Sequence, residues 1–200
     1  FSKNGEKLFF GTAPIPVLQD TTLLPEEIVS VEVWGGEDQY IYPQQNKQLE
    51  TEKRRSYLVS MNIKEKQLMQ LGDKDIPMVE TGDEGNANVA LGECDVPYRK
   101  MITWDPSAYS DFYLLDIQNQ VRKNIAKKVK GNARLSPKAN FVYWFSLPDT
   151  AWFSYSVASG QTSRLNHGTK LSFADEENDS PDYPSPYGSP GWTADDKLML

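Results

Sequence analysis

The stretch Ala133–Leu165, ARLSPKANFVYWFSLPDTAWFSYSVASGQTSRL, predicts one compact antiparallel sheet. Two runs rich in aromatic and β-branched residues, Phe141–Phe145 and Trp152–Val157, are separated by a turn at Pro148-Asp149. A second turn, at Ser159-Gly160, follows the second run. Short apolar runs divided by Pro, Asp, Ser and Gly are typical of strands joined by hairpins.

The front half of this unit occurs again at the start of the chain and near its end. Phe1–Phe10 aligns with Leu135–Trp144 without a gap, and Ser2 falls on Ser136. A third copy, Trp192–Leu200, is one residue shorter. The pattern therefore indicates a repeated structural unit.

The rear half of the unit also recurs without gaps, as Tyr57–Leu71, Asp111–Ile125 and Ala151–Leu165. Alternate positions are apolar in the first part of each copy, which predicts strands with one buried face. Repeats of roughly 40–50 residues, each with about four short strands, are typical of β-propeller blades. We therefore predict an all-β fold of antiparallel propeller blades, with a two-sheet β-sandwich as the alternative.

The predicted blades cover residues 1–72, with a long insertion, then 73–131 and 132–167. Residues 168–200 are predicted to form an acidic, Pro-rich inter-blade loop and the first strands of a further blade. A closed propeller needs at least four blades. We therefore expect an incomplete propeller, about three blades plus the start of a fourth, that belongs to one domain of a longer protein.

The segments between the repeats carry weaker patterns. Ile28–Trp34 alternates apolar and polar residues and predicts a strand, whereas the polar Glu37–Arg55 predicts a loop or one helical turn. Asn88–Gly92 and Tyr98–Trp104 predict two more short strands, and Asp105–Ser107 predicts a turn.

Composition excludes several classes of function. The net charge of −7 and the pI of about 4.8 argue against nucleic-acid binding. No apolar run approaches the roughly 18 residues of a membrane-spanning helix. Cys94 is the only cysteine and is predicted to be a small buried hydrophobe. The main basic cluster is predicted to be a solvated face; it comprises Arg122, Lys123, Lys127, Lys128 and Lys130.

Two groups of residues are candidates for binding. Carboxylates in the acidic segment are oxygen ligands of the kind that Ca²⁺ takes, with Asp175, Glu177 and Asp179 as the candidates. Because the EF-hand pattern is absent, a solvated acidic loop is the favoured interpretation, and no metal or other cofactor is expected. Trp34 and Trp104 lie outside the gapless repeats and are the candidates for substrate binding, whereas the other three tryptophans are expected to pack within blades.

The repeat resembles that of serine peptidases of the prolyl oligopeptidase and dipeptidyl peptidase IV type. Three longer stretches are similar to the large secreted members found in Bacteroidetes-type bacteria. They are Val33-Trp34 with Tyr40–Gln44, then Thr103–Ser107, then Pro181–Pro184 with Tyr187-Gly188 and Gly191-Trp192. The resemblance covers essentially the whole chain. It implies a periplasmic or secreted parent with a C-terminal α/β-hydrolase domain, for which the propeller gates and positions peptide substrates.

The sequence itself carries no catalytic set. The catalytic serine of such enzymes lies in a G-x-S-x-G turn, which does not occur here. His167 is the only histidine and is expected to be an exposed loop residue, while Glu26-Glu27 is expected to be an exposed acidic pair. The alternative function is a non-enzymatic propeller that binds glycan or protein. Because separated blades leave apolar faces open, self-association of the chain is also expected.

Overall fold

A computed structural model describes residues 1–15, 22–29, 31–105, 108–188 and 191–200. Within these residues the chain forms eleven strands. They are β1 (Lys7–Thr12), β2 (Tyr57–Asn62), β3 (Leu68–Gln70), β4 (Met78–Thr81), β5 (Val89–Cys94), β6 (Tyr109–Asp116), β7 (Val121–Lys130), β8 (Ala133–Leu135), β9 (Phe141–Ser146), β10 (Ala151–Ser156) and β11 (Thr162–Arg164).

The described strands form three antiparallel sheets, in the orders β1-β2-β3, β4-β5-β6-β7 and β8-β9-β10-β11. Each strand pairs with its neighbour in sequence, so every sheet is a simple meander. One α-helix, α1 (Tyr42–Lys53), and three 3-10 helices complete the described elements. The 3-10 helices are Pro25–Glu27, Asp83–Gly85 and Val96–Thr103. The all-β prediction is confirmed.

Both faces of the second sheet are buried. Successive side chains of a strand point to opposite faces of the sheet, and here both sets pack against a neighbouring sheet. On one side Ala90 and Leu115 pack in a core with Leu71 from the first sheet's end. On the other side Phe112 packs against Trp144 of the third sheet, with ring centroids 5.9 Å apart. The sheets therefore stack one after another, as the blades of an incomplete propeller do, and the two-sheet sandwich is ruled out.

The rear-half repeats share a backbone conformation at one aligned position. Lys66, Gln120 and Gly160 each follow the start of their copy by nine residues, and their φ angles are +54°, +56° and +68°. L-residues with side chains rarely adopt this left-handed conformation. The three hairpins therefore have the same turn, although only one of them has glycine there.

The front-half repeats share a turn in which a hydroxyl accepts a backbone hydrogen bond from the residue five positions later. The hydroxyls belong to Ser2, Ser136 and Thr193, and the N–H···O distances are 2.9, 3.0 and 3.1 Å. The residue three positions after each hydroxyl again has positive φ, +74° at Gly5, +57° at Ala139 and +57° at Asp196. The third copy also forms an antiparallel bridge between Trp192 and Met199.

Three predictions for the connecting segments are wrong. The described part of Ile28–Trp34 is exposed and forms no strand; residue 30 lies outside the described residues. Glu37–Arg55 contains the three turns of α1 in place of a loop or a single turn. Tyr98–Trp104 lies mostly in a 3-10 helix, which begins at Val96 and has Pro97 in its first turn, where proline favours helix initiation.

Three further predictions concern a strand, a turn and membrane-spanning helices. Of the predicted strand Asn88–Gly92, all but Asn88 lies in β5, and Cys94 is buried as predicted. The predicted turn at Asp105–Ser107 falls largely on residues 106 and 107, which lie outside the described part of the chain. In the described residues no helix is both long and apolar enough to cross a membrane.

Candidate functional site

The long connections gather at one end of the stacked sheets, which we call the loop end. The first insertion, residues 13–56, joins β1 to β2, and the second, residues 95–108, joins β5 to β6. The equivalent strands β9 and β10 are joined by the short turn 147–150. At the opposite end, the turn end, β2–β3, β6–β7 and β10–β11 are joined by short turns.

The first and second insertions touch through polar side chains. Arg99 donates a hydrogen bond of 3.1 Å to the Gln39 amide oxygen, and its guanidinium lies 5.5 Å from the centre of the Tyr40 ring. Lys100 forms an ion pair of 2.9 Å with Glu37. This hydrogen bond from Lys100 lowers the pKa of the Glu37 carboxyl below its usual value.

A groove lies between α1 and the 3-10 helix Val96–Thr103, and we call it the helix groove. Its volume is about 600 Å³, and Tyr40 and Gln44 contribute to its walls. Two ion pairs border it, Arg99 with Asp95 at 2.9 Å and Arg55 with Glu52.

Four of the charged side chains that line the helix groove are paired with one another, Asp95 with Arg99 and Glu52 with Arg55, whereas Lys47 also lines the groove and belongs to neither pair. Burial by itself lowers the pKa of Arg99, but its hydrogen bond to Asp95 and the charge of that residue leave the pKa above the usual value. The Gln44 side-chain oxygen is buried and has no partner among the described residues. The groove can therefore offer polar contacts to a ligand such as a peptide backbone.

The second insertion meets the segment 168–188 at a buried lysine. The side chain of Lys130 is only 2% exposed, and its ammonium lies 2.7 Å from both Asp105 and Asp182. The rings of Tyr109 and Tyr183 flank the ammonium at 5.5 and 4.9 Å. The prediction that the whole basic cluster is a solvated face is thus wrong for Lys130, because two carboxylates and two aromatic rings surround it.

The electrostatics of Lys130 follow from this arrangement. Burial disfavours the charged ammonium and lowers its pKa, but the two carboxylate hydrogen bonds outweigh burial and leave the pKa above the usual value. Lys130 is therefore a charged anchor that holds two loops together at the loop end. Sequence reasoning missed it, since its partners are 25 and 52 residues away along the chain.

Both candidate tryptophans lie on the insertions at the loop end. Trp34 is 65% exposed, and its ring centre lies 5.5 Å from that of Tyr42 at the start of α1. Trp104 follows the 3-10 helix of the second insertion and is 71% exposed. The structure thus leaves two indole rings open to solvent on neighbouring loops.

The other three tryptophans pack against aromatic side chains. Trp144 is buried between the second and third sheets. Trp152 contacts Phe145 with ring centres 5.3 Å apart, and Trp192 stacks on Phe141 at 4.8 Å. These contacts place them in blade packing.

The acidic candidates do not lie together in an arrangement that could coordinate a metal ion. Glu177 and Asp179 are exposed, and the Asp175 carboxylate accepts a hydrogen bond of 3.0 Å from the Glu177 backbone. Asp182 pairs with Lys130. Among the described residues, no group of three or more His, Cys, Asp or Glu side chains could hold a metal ion.

Glu26, Glu27 and His167 are all exposed. Glu27 accepts a hydrogen bond of 2.9 Å from the backbone N–H of Leu24 and so caps the 3-10 helix that contains it. Neither the acidic pair nor the histidine lines the helix groove.

Comparisons with known proteins give structural similarity but no match in sequence. No family model matches the sequence. No curated protein matches it either. Among solved structures, TolB from Acinetobacter baumannii is similar with a TM-score of 0.41 and 14% sequence identity. The alignment covers 74% of this chain and 32% of the TolB chain, so this chain spans about a third of that protein's length.

Proposed function

We propose that this chain is the non-catalytic propeller portion of a serine peptidase of the prolyl oligopeptidase and dipeptidyl peptidase type. The propeller gates and positions peptide substrates for a C-terminal α/β-hydrolase domain in the same polypeptide. The parent enzyme acts in the periplasm or is secreted.

The observation that supports this proposal is the gathering of the long connections at the loop end. Binding functions concentrate on loops that a rigid scaffold positions, and here three stacked sheets hold two insertions and the segment 168–188 together. The helix groove adds polar groups that suit a peptide backbone, and Trp34 and Trp104 add apolar contact area. The catalytic serine and its partners are expected outside this chain.

The test is to express the longer reading frame that contains this chain and react it with a fluorophosphonate, which labels activated serines. We expect one labelled serine C-terminal to Leu200 and hydrolysis of dipeptidyl nitroanilides. The isolated 200-residue chain should show neither. A reading frame without a G-x-S-x-G segment, or turnover by the isolated chain, would contradict the proposal.

A variant pair tests the positioning role. Trp104→Ala in the parent should raise KM for peptide substrates while leaving the rate of fluorophosphonate labelling unchanged, since the small probe carries no peptide for Trp104 to contact. Phe1→Ala is the matched control, because Phe1 is 82% exposed and belongs to a front-half turn. An unchanged KM in Trp104→Ala would show that Trp104 at the loop end does not position the substrate.

The exposed indole rings also favour a second function, a non-enzymatic propeller that binds glycan or protein. Solvent-facing tryptophan supplies a flat apolar surface with one polar group, which suits sugar stacking and protein interfaces. A reading frame that ends after one further blade, together with glycan binding that is lost in Trp104→Ala, would support this function over the first.

A further inference from the structure

The first sheet has an open edge at β1. This strand pairs with β2 on one side, and no strand of the described residues pairs with its other side. The equivalent strands β5 and β9 are covered on that side by β4 and β8, which we call the inner strands. Unpaired backbone groups along a strand edge are a template for pairing with a further strand.

The backbone N–H and C=O of Phe9 point towards this open edge. Backbone groups of successive residues in a strand point to alternate sides. Lys7 bonds through its N–H and its C=O to Ser2, on the side away from β2, and Phe9 lies two residues further along. In the third sheet the residue equivalent to Phe9 is Tyr143, which pairs with Arg134 of the inner strand β8.

The first insertion contains an exposed segment, residues 31–33, with the pattern of an inner strand. Val31 and Val33 are 70% and 73% exposed, and the segment forms neither helix nor strand. Its sequence Val-Glu-Val places a charged residue between two apolar ones, as Ala-Arg-Leu does in β8. The inner strand β4 contains Val-Glu-Thr, with the same first two residues.

The pairings of β4 and β8 define the register of an inner strand. Glu80 lies opposite Leu91, and Arg134 lies opposite Tyr143. Leu91 and Tyr143 are equivalent to Phe9, because all three lie opposite the same aligned position of the rear-half repeats. The charged residue in the middle of an inner strand therefore pairs with the Phe9 position.

This register brings apolar side chains together when residues 31–33 are placed on β1. Glu32 falls opposite Phe9, and the two valines fall opposite Phe10 and Leu8. Phe10 is 37% exposed and lies two residues from Leu8, so both side chains point to the same face of the sheet. Apolar pairs across an antiparallel ladder stabilise it.

The segment is held at the loop end of its own copy. The Trp34 ring contacts that of Tyr42 at 5.5 Å, and the Gly36 C=O accepts a hydrogen bond of 3.3 Å from Lys100. The segment does not pair with β1 of that copy. A second copy presents its own β1 edge, and two copies that exchange segments form two identical ladders, as the twofold symmetry of most dimers requires.

We infer that residues 31–33 add as a fourth strand to the open β1 edge of a second copy, so that the chain forms a reciprocal dimer. The backbone groups of Phe9 supply the ladder hydrogen bonds, and the valines supply the apolar contacts, which is the way strand addition to a sheet edge gains affinity and specificity. The inference does not depend on any peptidase activity.

The first test measures association of the 200-residue chain by analytical ultracentrifugation over a range of concentrations. We expect a reversible dimer. Val33→Glu should raise its dissociation constant at least tenfold, because a carboxylate then lies opposite Leu8. The matched control is Leu171→Glu, since Leu171 is 74% exposed on the segment 168–188, and it should leave the dissociation constant unchanged.

A fusion tests the edge itself. A second copy of residues 131–134 placed directly before Phe1 supplies an inner strand within the chain, because Phe1 aligns with Leu135. This fusion should abolish the dimer. The same fusion with Arg134→Pro in the added copy lacks the N–H that bonds to Phe9, and it should leave the dimer in place.

Disulfide trapping tests the register. Chains with Val31→Cys, mixed with chains that carry Phe10→Cys, should cross-link on mild oxidation, because directly opposed residues without ladder hydrogen bonds lie closest together. Phe1→Cys, at a position that is 82% exposed, replaces Phe10→Cys in the control and should not cross-link.

Four results would overturn the inference. They are a monomer at every concentration, a Val33→Glu variant that associates as tightly as the wild type, a dimer that survives the fusion, and a control pair that cross-links as fast as the test pair. A dimer that is lost in Leu198→Glu but not in Val33→Glu would assign the interface to the third sheet instead.

Discussion

The two ends of the stacked sheets are held in different ways. At the turn end the same hairpin conformation occurs in each copy, with positive φ at Lys66, Gln120 and Gly160. At the loop end the insertions share no pattern, and one buried ammonium, Lys130, joins the second insertion to the segment 168–188. At the turn end each copy therefore has its own local turn, whereas at the loop end the long-range ion pairs of Lys130 hold together segments that share no pattern.

The largest expected effect comes from removing the charge at the loop end. Lys130→Met leaves Asp105 and Asp182 without their shared cation in a partly buried site. Breaking a buried ion pair by removing one partner costs about 3–5 kcal/mol. We expect a loss of that size in the free energy of unfolding, measured by urea denaturation.

Lys127→Met is the matched control for Lys130→Met. Lys127 lies on the same strand, β7, but is exposed, so its replacement should change stability by no more than about 0.5 kcal/mol. Equal effects of the two substitutions would show that the loop end does not depend on the buried ammonium.

The next prediction concerns the carboxylate of Asp196, which bonds to the turn of the third sheet. It accepts hydrogen bonds from the Ser136 hydroxyl at 2.6 Å and from the backbone N–H groups of Lys138 and Asn140 at 3.0 and 3.2 Å. Asp196→Ala leaves these donors unpaired, which should cost about 1–3 kcal/mol. Thermal unfolding measures the loss, and Asp179→Ala, at an exposed position, should have no measurable effect.

A pair of substitutions tests whether the hairpins at the turn end are equivalent. Gly160→Ala places a side chain in the left-handed conformation, which should cost about 1–2 kcal/mol. Gln120→Gly should instead stabilise the protein slightly, because it removes a side chain from the same conformation. Gly36→Ala, where an added Cβ meets nothing within 4 Å, is the control. Effects of the same sign at positions 120 and 160 would contradict the equivalence.

The smallest expected effect is a pH dependence at the second insertion. Burial and the hydrogen bond of 2.6 Å to Asp111 raise the pKa of Tyr98 to about 12. An unfolded tyrosine ionises with a pKa of about 10. The contribution of Tyr98 to the free energy of unfolding is therefore complete below about pH 10 and is lost as the pH rises towards 12. Denaturation at several alkaline pH values should show this loss, and Tyr98→Phe should lack that part of it.

The sequence predicts the blades well because the alternation of apolar residues that is typical of a strand recurs in three copies. Alternate positions are apolar in the copies that form β2, β6 and β10, and this period is visible without knowing what packs on each face. Gapless alignment of three copies also predicts that their turns are alike. The all-β architecture could therefore be inferred from local pattern alone.

The insertions could not be predicted in this way. The α1 segment YPQQNKQLETEK contains good helix formers, but none of its residues is buried, so no apolar stripe indicates a helix. Ile28–Trp34 has the alternation of a strand, yet its described residues lie exposed without a partner strand. The ion pairs of Lys130 leave no local signal either, because chain segments far apart in sequence supply the carboxylates.

The turn of the third sheet depends on a residue that the chain supplies only later. Ser2 and Thr193 donate hydrogen bonds to Asn4 and Asp195 within their own turns, but the equivalent position after Ser136 is Lys138, which has no acceptor. Asp196 accepts that hydrogen bond from the following repeat. During synthesis the third sheet must therefore wait for the next repeat before its turn is complete, which gives blade assembly a direction from the N-terminus towards the C-terminus.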